Sequence, residues 1–364
     1  MSAAEPPGQG GCGMTRLRCV HLNDDFAMGG VVKGLRIYDH PDLTRMVDSR
    51  VRPVNPRGRM APRLNAHVIV THFPPSWSSL PFLASLRLRN PHARLIHIEH
   101  SYTGNWEART VRSQARFRLM LKLAYRMYDE VVAVSNGQAG WLRAIEAVDP
   151  VKLKVLHPWS GSQGLDKLPG PKFSQGQPIR LGAIGRFDHV KGFDVLIEAM
   201  KALPASRFEL VIGGFGDQEQ ALRKAAGDMA NIAFAGRIED VASFYARCDV
   251  VVVPSRCEAF GQVAAEARMA GRPVIVSQAD GLPEQVGRAG IVVDCSDPAM
   301  LASALAGLST AQLKEMSVAA RMSMAGAEFS RIKAWQALFH RAGKALAGRK
   351  SRSESLSGTL AISA

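Results

Sequence analysis

"DVVVVPSRCEAFGQVAAEARMAGRPVIVS", residues 249–277, reads as one strand–turn–helix–strand unit. The run of valines is a buried strand, and Pro254 stops it because proline cannot extend a central ladder. A helix starts near Phe260 and Gly261 and ends before Gly271, which suits the position just past a helix. "RPVIVS" is a second apolar strand. Glu258 falls in the turn, and Glu266 lies about one turn into the helix.

The same alternation extends outward in both directions. Before it come "IRLGAIG", "RFELVIGG" and "NIAFAG", and after it "GIVVD", with helices expected near 191–202, 217–227, 239–247, 261–270 and 298–308. In the first half, "RLRCVHL" (16–22), "AHVIV" (66–70), "RLIHI" (94–98) and "EVVAVS" (130–135) read as buried strands, with a helical stretch near 109–127. Val/Ile runs separated by helices predict parallel sheets covered on both faces. The Gly/Pro/Ser/Gln-rich stretch 159–178 divides the halves. The fold class is therefore α/β, with two Rossmann-like domains whose sheets face a central cleft. The expected boundaries are a disordered leader at 1–14, a first domain at 15–165, a linker at 166–178 and a second domain at 179–328. A C-terminal helix follows at 329–348, placed to pack back on the first domain, and then a disordered tail at 349–364.

Composition narrows the partners. The chain has 364 residues, 46% of them hydrophobic, which is enough for two ordinary cores. The net charge of +14 points to an anionic partner: phosphate, a membrane surface or nucleic acid. The 5 cysteines have no metal-ligand spacing and read as reduced thiols of a cytoplasmic protein. No apolar run approaches the ~20 residues of a membrane span, and the N-terminus lacks the pattern of a signal peptide.

The two glutamates are the chemical question. Free backbone N–H groups of residues 260–263 at the helix start suit a phosphate. A carboxylate would repel that phosphate, so Glu258 and Glu266 read as acceptors for hydroxyl groups. Flanking a phosphate cradle, they match a nucleotide sugar, one taking the ribose diol and the other the sugar ring. The plainer alternative is one solvated turn acid and one helix-surface acid. In "GAIGRFDHVKGFDVLIEAM", Arg186 and Lys191 lie five apart in the turn after a strand, placed to hold a diphosphate and to neutralise it as it departs. An ordinary exposed loop is the alternative there. The glycine-rich turn in "VIGGFGDQEQAL" is a weak signal and fits close packing alone.

Taken together, "GRFDHVKG", "VIGGFGD", "FAGRIED", residues 245–277 and "GLPEQV" resemble family 4 of the retaining glycosyltransferases, which have the GT-B fold. The resemblance covers about residues 180–290. It implies that Glu258 and Glu266 are the family's E-x7-E pair, Glu266 holding the ribose and Glu258 the donor sugar. It also implies that Arg186 and Lys191 bind the diphosphate, that Phe260 and Gly261 offer backbone amides, and that Arg237 and Ile238 border the base. In the first half, "HLNDDFAMGGVVKGL" resembles the N-terminal glycine loop, where Gly29 and Gly30 would approach the diphosphate. Val32 stands where many relatives carry an acid. "LIHIEHSYTGNWEAR" resembles the segment carrying an active-site histidine, which makes His100 the candidate beside the reacting carbon. His97 reads as structural. His72 also ends a strand and is the candidate for the acceptor side.

By the same resemblance the enzyme retains configuration, the acceptor hydroxyl giving its proton to the leaving phosphate. No Asp-x-Asp closes an apolar strand, so neither a metal nor another cofactor is expected. The partners expected are a nucleotide sugar, with uridine as base, and a glycan or lipid-linked glycan of cell-surface polysaccharide. Arg45 to Arg63 holds six arginines and one acid, and Arg109 to Arg126 holds six cations and no acid. On one helix, Arg109, Arg112 and Arg116 would share a stripe continued by Leu119, Met120, Leu123 and Met127, a surface for anionic lipid on the inner face of the membrane. The basic segments lack interleaved aromatics, which argues against nucleic acid. Two rival classes are an epimerase of the same fold and a non-catalytic nucleotide-sugar-binding module.

Overall fold

The computed structural model describes residues 16–25, 34–174 and 176–361, with side chains as far as residue 348. The first sheet holds β1 (Leu17–Asn23), β2 (Val47–Pro53), β3 (Val68–Thr71), β4 (Arg94–Glu99), β5 (Glu130–Ala133) and β6 (Leu153–Val155). Its order is β2-β1-β3-β4-β5-β6. The second holds β7 (Ile179–Ile184), β8 (Phe208–Gly213), β9 (Ile232–Gly236), β10 (Val250–Val253), β11 (Val274–Ser277) and β12 (Gly290–Val293), in the order β12-β11-β10-β7-β8-β9. Every paired neighbour is parallel. The second sheet is wound outward from its central pair β7 and β10, so the crevice for a ligand opens between their carboxyl ends. In the first sheet the corresponding crevice lies between β1 and β3.

All four valines of β10 are buried, as are all residues of β3, β5 and β11, which accounts for their near-continuous apolar runs. Two strands do not show in the hydropathy pattern. β2 is an edge strand whose outer residues, including Arg50 and Arg52, are exposed, and β6 has only three residues. A charged edge strand resists pairing with another chain, so part of the basic segment 45–63 guards the sheet edge.

The expected single helix near 109–127 is two helices, Gly104–Thr110 and Gln114–Arg126. The β-branched pair Thr110-Val111 ends the first, with Val111 in extended backbone (ψ 114). Arg109 and Arg112 therefore do not share a helix face with Arg116. Met120 turns into the core, whereas Leu119 is 51% exposed, so the expected stripe is divided.

The C-terminal helix, Ala327–Ala361, returns the chain to the first domain. The Trp335 ring meets Tyr38 edge-on at 5.0 Å between centroids, and Phe339 lies 6.5 Å from the same ring. Arg341 pairs with Glu130 at 3.2 Å. The helix also runs through most of the expected disordered tail 349–364. No proline interrupts that segment, and once a helix is anchored each added residue gains a hydrogen bond at little nucleation cost.

Phe339 is fully buried between this helix and the first domain. Phe339→Ala is expected to destabilise the first domain by about 3–5 kcal/mol, read as a shifted urea transition. An unchanged transition would show that the helix does not hold that domain.

Candidate functional site

Two loops build the second-domain wall of the cleft. The first, after β7, contains Arg186 and the short turn His189–Lys191. The second, after β10, contains Glu258 and leads into the helix Gln262–Met269. They are locked back to back. Gly192 takes the left-handed conformation (φ 68), and a Cβ there would lie 2.2 Å from the Pro254 carbonyl oxygen. The Arg256 backbone N–H donates to the Val190 carbonyl at 2.7 Å, and the Arg256 guanidinium forks onto both Asp194 oxygens at 2.7 Å. This packing sets Lys191 Nζ 2.6 Å from Glu258 Oε2.

The walls enclose a cleft of about 530 Å³. His100, Arg186, Lys191, Arg237, Ile238, Glu258, Phe260, Gly261 and Glu266 all line it, so residues from four loops, one helix and both domains meet in one place. Arg186 is exposed in the cleft with no ion-pair partner among the described residues. Glu266 is buried, and the Tyr245 hydroxyl donates to its Oε2 at 3.1 Å. Burial, and then the Glu266 carboxylate, raise the Tyr245 phenol well above its ordinary value, so it remains a donor. The Arg237 guanidinium stacks on the Phe215 ring at 5.0 Å. His100 is held near pKa 4 mainly by burial and is neutral at pH 7.

Gly29 and Gly30 lie outside the described residues. His72 does not line the cleft. It is 5% exposed and uses both ring nitrogens internally, because β3 has a neighbouring strand on each side. It borders a second cavity of about 20 Å³ behind His100, with Tyr38 and Trp335. His97 is buried between Thr71 and Glu99, in keeping with a structural role.

Sequence reasoning passed over Gly214, Phe215 and Asp280. The glycine-rich turn does serve close packing, since a Cβ on Gly214 would lie 1.9 Å from the Gly185 carbonyl oxygen. It also puts the aromatic Phe215 on the cleft wall. Asp280 bridges the domains: Oδ1 accepts from the Asn105 backbone N–H at 3.0 Å, and Oδ2 from that of Glu258 at 3.1 Å. Its neighbour Glu284 accepts from the N–H groups of Asn136 and Gly137 at a helix start in the first domain, and its other oxygen lies 2.9 Å from His157 Nε2. Two acids in the loops after β11 are the only trace of this clasp in the sequence.

The overall architecture is shared with solved structures. The crystal structure of HepE from Anabaena in complex with UDP aligns with a TM-score of 0.70 at 17% identity, covering 90% of this chain and 100% of that one. The fold is that of the GT-B glycosyltransferases. Residues 178–311 match the family described as glycosyl transferases group 1, and residues 6–159 match the glycosyl transferase 4-like domain. These matches take in both halves, and the chain belongs to this glycosyltransferase family. It is 30% identical over 251 residues to a D-inositol 3-phosphate glycosyltransferase of Mycolicibacterium vanbaalenii, covering 62% of this chain and 55% of the relative. It is also 30% identical over 214 residues to the lipopolysaccharide core biosynthesis mannosyltransferase LpcC of Rhizobium leguminosarum bv. viciae, covering 54% of this chain and 59% of that one. The matches thus span a little over half the length of each of these two relatives.

Asp280→Ala removes the acceptor of two half-buried N–H groups that water can reach, at about 0.5–1.5 kcal/mol each. The expected outcome is a larger radius of gyration by small-angle scattering and weaker nucleotide binding by calorimetry. If both are unchanged, the clasp does not hold the domains together.

Proposed function

We propose that the protein transfers a sugar, with retention of configuration, from a nucleotide sugar to a glycan or lipid-linked glycan acceptor. The observation that carries this reading is the convergence of Arg186, Lys191, Glu258, Glu266 and His100 on one cleft at the carboxyl ends of both sheets. The diphosphate lies against Arg186, Lys191 and the amides at the start of Gln262–Met269. The ribose hydroxyls donate to Glu266, whose outer position Tyr245 fixes. The sugar ring lies between Glu258 and His100. The anomeric carbon–oxygen bond breaks as negative charge grows on the departing phosphate. The acceptor hydroxyl attacks from the same face and gives its proton to that phosphate. Arg186 and Lys191 neutralise the leaving group without a metal ion. The UDP in the HepE complex supports uridine as the base, and the role in the name of LpcC supports a cell-surface glycan.

Before donor binds, Lys191 is paired with Glu258, so the donor meets a carboxylate already oriented by a cation. Arg186→Ala and Lys191→Ala should each lower turnover by about 10²–10³. Glu266→Ala should weaken UDP binding, whereas Glu258→Ala should leave it nearly intact and abolish transfer. Excess chelator should change nothing. Release of nucleoside diphosphate from a panel of nucleotide sugars, with and without acceptor glycans, measures all of this. Release without a glycosylated product, a product epimerised at the sugar, or no turnover would favour the binding-module or epimerase reading.

A lipid-linked acceptor would be met at the surface around Arg116, which stacks on the 41% exposed Trp77 at 5.5 Å, with exposed Leu119 on the same helix. Each cation contributes about 1 kcal/mol near an anionic bilayer. Arg116→Glu should reduce co-sedimentation with phosphatidylserine vesicles and leave UDP binding alone; equal sedimentation of both proteins would remove this surface from the proposal.

A further inference from the structure

Behind His100 the first sheet contains a continuous line of polar side chains that runs from β1 past the ends of β3 and β4. Ser49 on β2 lies opposite Cys19 on β1 in the strand register. Cys19 Sγ is 3.3 Å from His21 Nε2, His21 Nδ1 is 3.1 Å from His72 Nε2, and His72 Nδ1 is 3.1 Å from His100 Nε2. Cys19, His21 and His72 are buried, and only the His100 end opens into the cleft.

We propose that this line makes His21 and His72 positioning residues that hold His100 as a neutral imidazole with its proton on Nδ1, directed into the cleft. The claim that this hydrogen matters for transfer rests on the glycosyl-transfer reading above; the tautomer itself does not.

The ring protons can be counted. Burial lowers His21 to about 3, His72 well below its ordinary range and His100 to about 4, so all three rings are neutral at pH 7. Three neutral imidazoles carry three ring protons. Each nitrogen–nitrogen link needs one proton, since two bare nitrogens would repel and two N–H groups would collide. Two links use two protons. The third belongs either on His21 Nε2, facing sulfur, or on His100 Nδ1, facing the cleft.

The inner end decides. Burial pushes the Cys19 thiol up, so it keeps its hydrogen. A thiol sulfur is a weak acceptor, whereas a bare imidazole nitrogen is a strong one. The S–H therefore donates to His21 Nε2 across the 3.3 Å contact. Every later link then runs the same way, and His100 presents Nδ1–H. An isolated imidazole in histidine prefers the other tautomer, so the line itself must enforce this one.

The test uses the full chain labelled with ¹⁵N-histidine and free of ligand. Two-bond ¹⁵N–¹H correlation spectra distinguish the tautomers, and His100→Asn assigns the resonance. We expect His100 protonated at Nδ1. Cys19→Ser, which keeps a donor, should preserve that signature and the turnover. Cys19→Ala removes the donor and should shift His100 toward Nε2–H. If a tenth of the rings keep the competent tautomer, kcat falls about tenfold while UDP affinity holds. His100 protonated at Nε2 in the intact protein overturns the proposal, as does a tautomer unmoved in a folded Cys19→Ala variant. A protein inactive on every nucleotide sugar but showing Nδ1–H would instead sink the glycosyl-transfer reading and keep the tautomer assignment.

Discussion

The site depends on a contact between two loops that leaves no room for a side chain. Gly192 lies against the Pro254 carbonyl, and any Cβ would overlap it. Because of that contact the turn after β7 and the turn after β10 move as one body, and Arg256 ties them with two further bonds onto Asp194. The doubly wound sheet already places these turns side by side, since β7 and β10 are neighbours. What the loop contact adds is registration at the scale of a hydrogen bond. A cation from one motif and a carboxylate from the other stand 2.6 Å apart. Catalytic groups need that precision, and packed backbone supplies it better than a free loop does.

Charge in the cleft is then arranged by position rather than by amount. Arg186 and Lys191 stand at the mouth of β7, beside the start of the neighbouring helix, where a diphosphate would find both cations and free amides. Glu258 and Glu266 stand on either side of that point, where hydroxyls and not phosphate would reach them. Glu258 is partly neutralised by Lys191, and Glu266 is fixed by a phenol that cannot ionise near neutral pH. A nucleotide sugar has the same alternation of hydroxyls, phosphates and hydroxyls along its length.

Much of this was legible in the sequence because it rests on local rules. Valine runs with proline and glycine stops gave all six strands of the second sheet. The eight-residue spacing of the glutamates and the five-residue spacing of the cations put Arg186, Lys191 and Glu258 on loops of adjacent strands and Glu266 on the helix that follows. The missed parts are non-local. β2 is charged because it is an edge, and its place is set by β1, not by its own pattern. The stripe expected across 109–127 failed because Thr110 and Val111 break the helix, a backbone preference that the hydropathy pattern does not register. A strand-end position points His72 to the acceptor side, yet the flanking strands enclose it. The C-terminal tail was read from its polar composition, whereas helix continuation is set by what precedes it.

The same distinction separates the two ways the domains are joined. At the C-terminal helix the contact is apolar: Trp335, Leu338, Phe339 and Ala342 are buried, which favours a permanent attachment. Across the cleft the contact is polar and made of carboxylates on backbone N–H groups, from Asp280 to Asn105 and from Glu284 to Asn136 and Gly137. Water can replace such bonds at small net cost, whereas it cannot replace a buried phenylalanine. The apolar contact is therefore the more durable of the two. Because Asp280 accepts from Glu258 with its second oxygen, the residue that spans the domains also fixes the backbone of the loop after β10, so the domain contact and the placement of Glu258 are coupled.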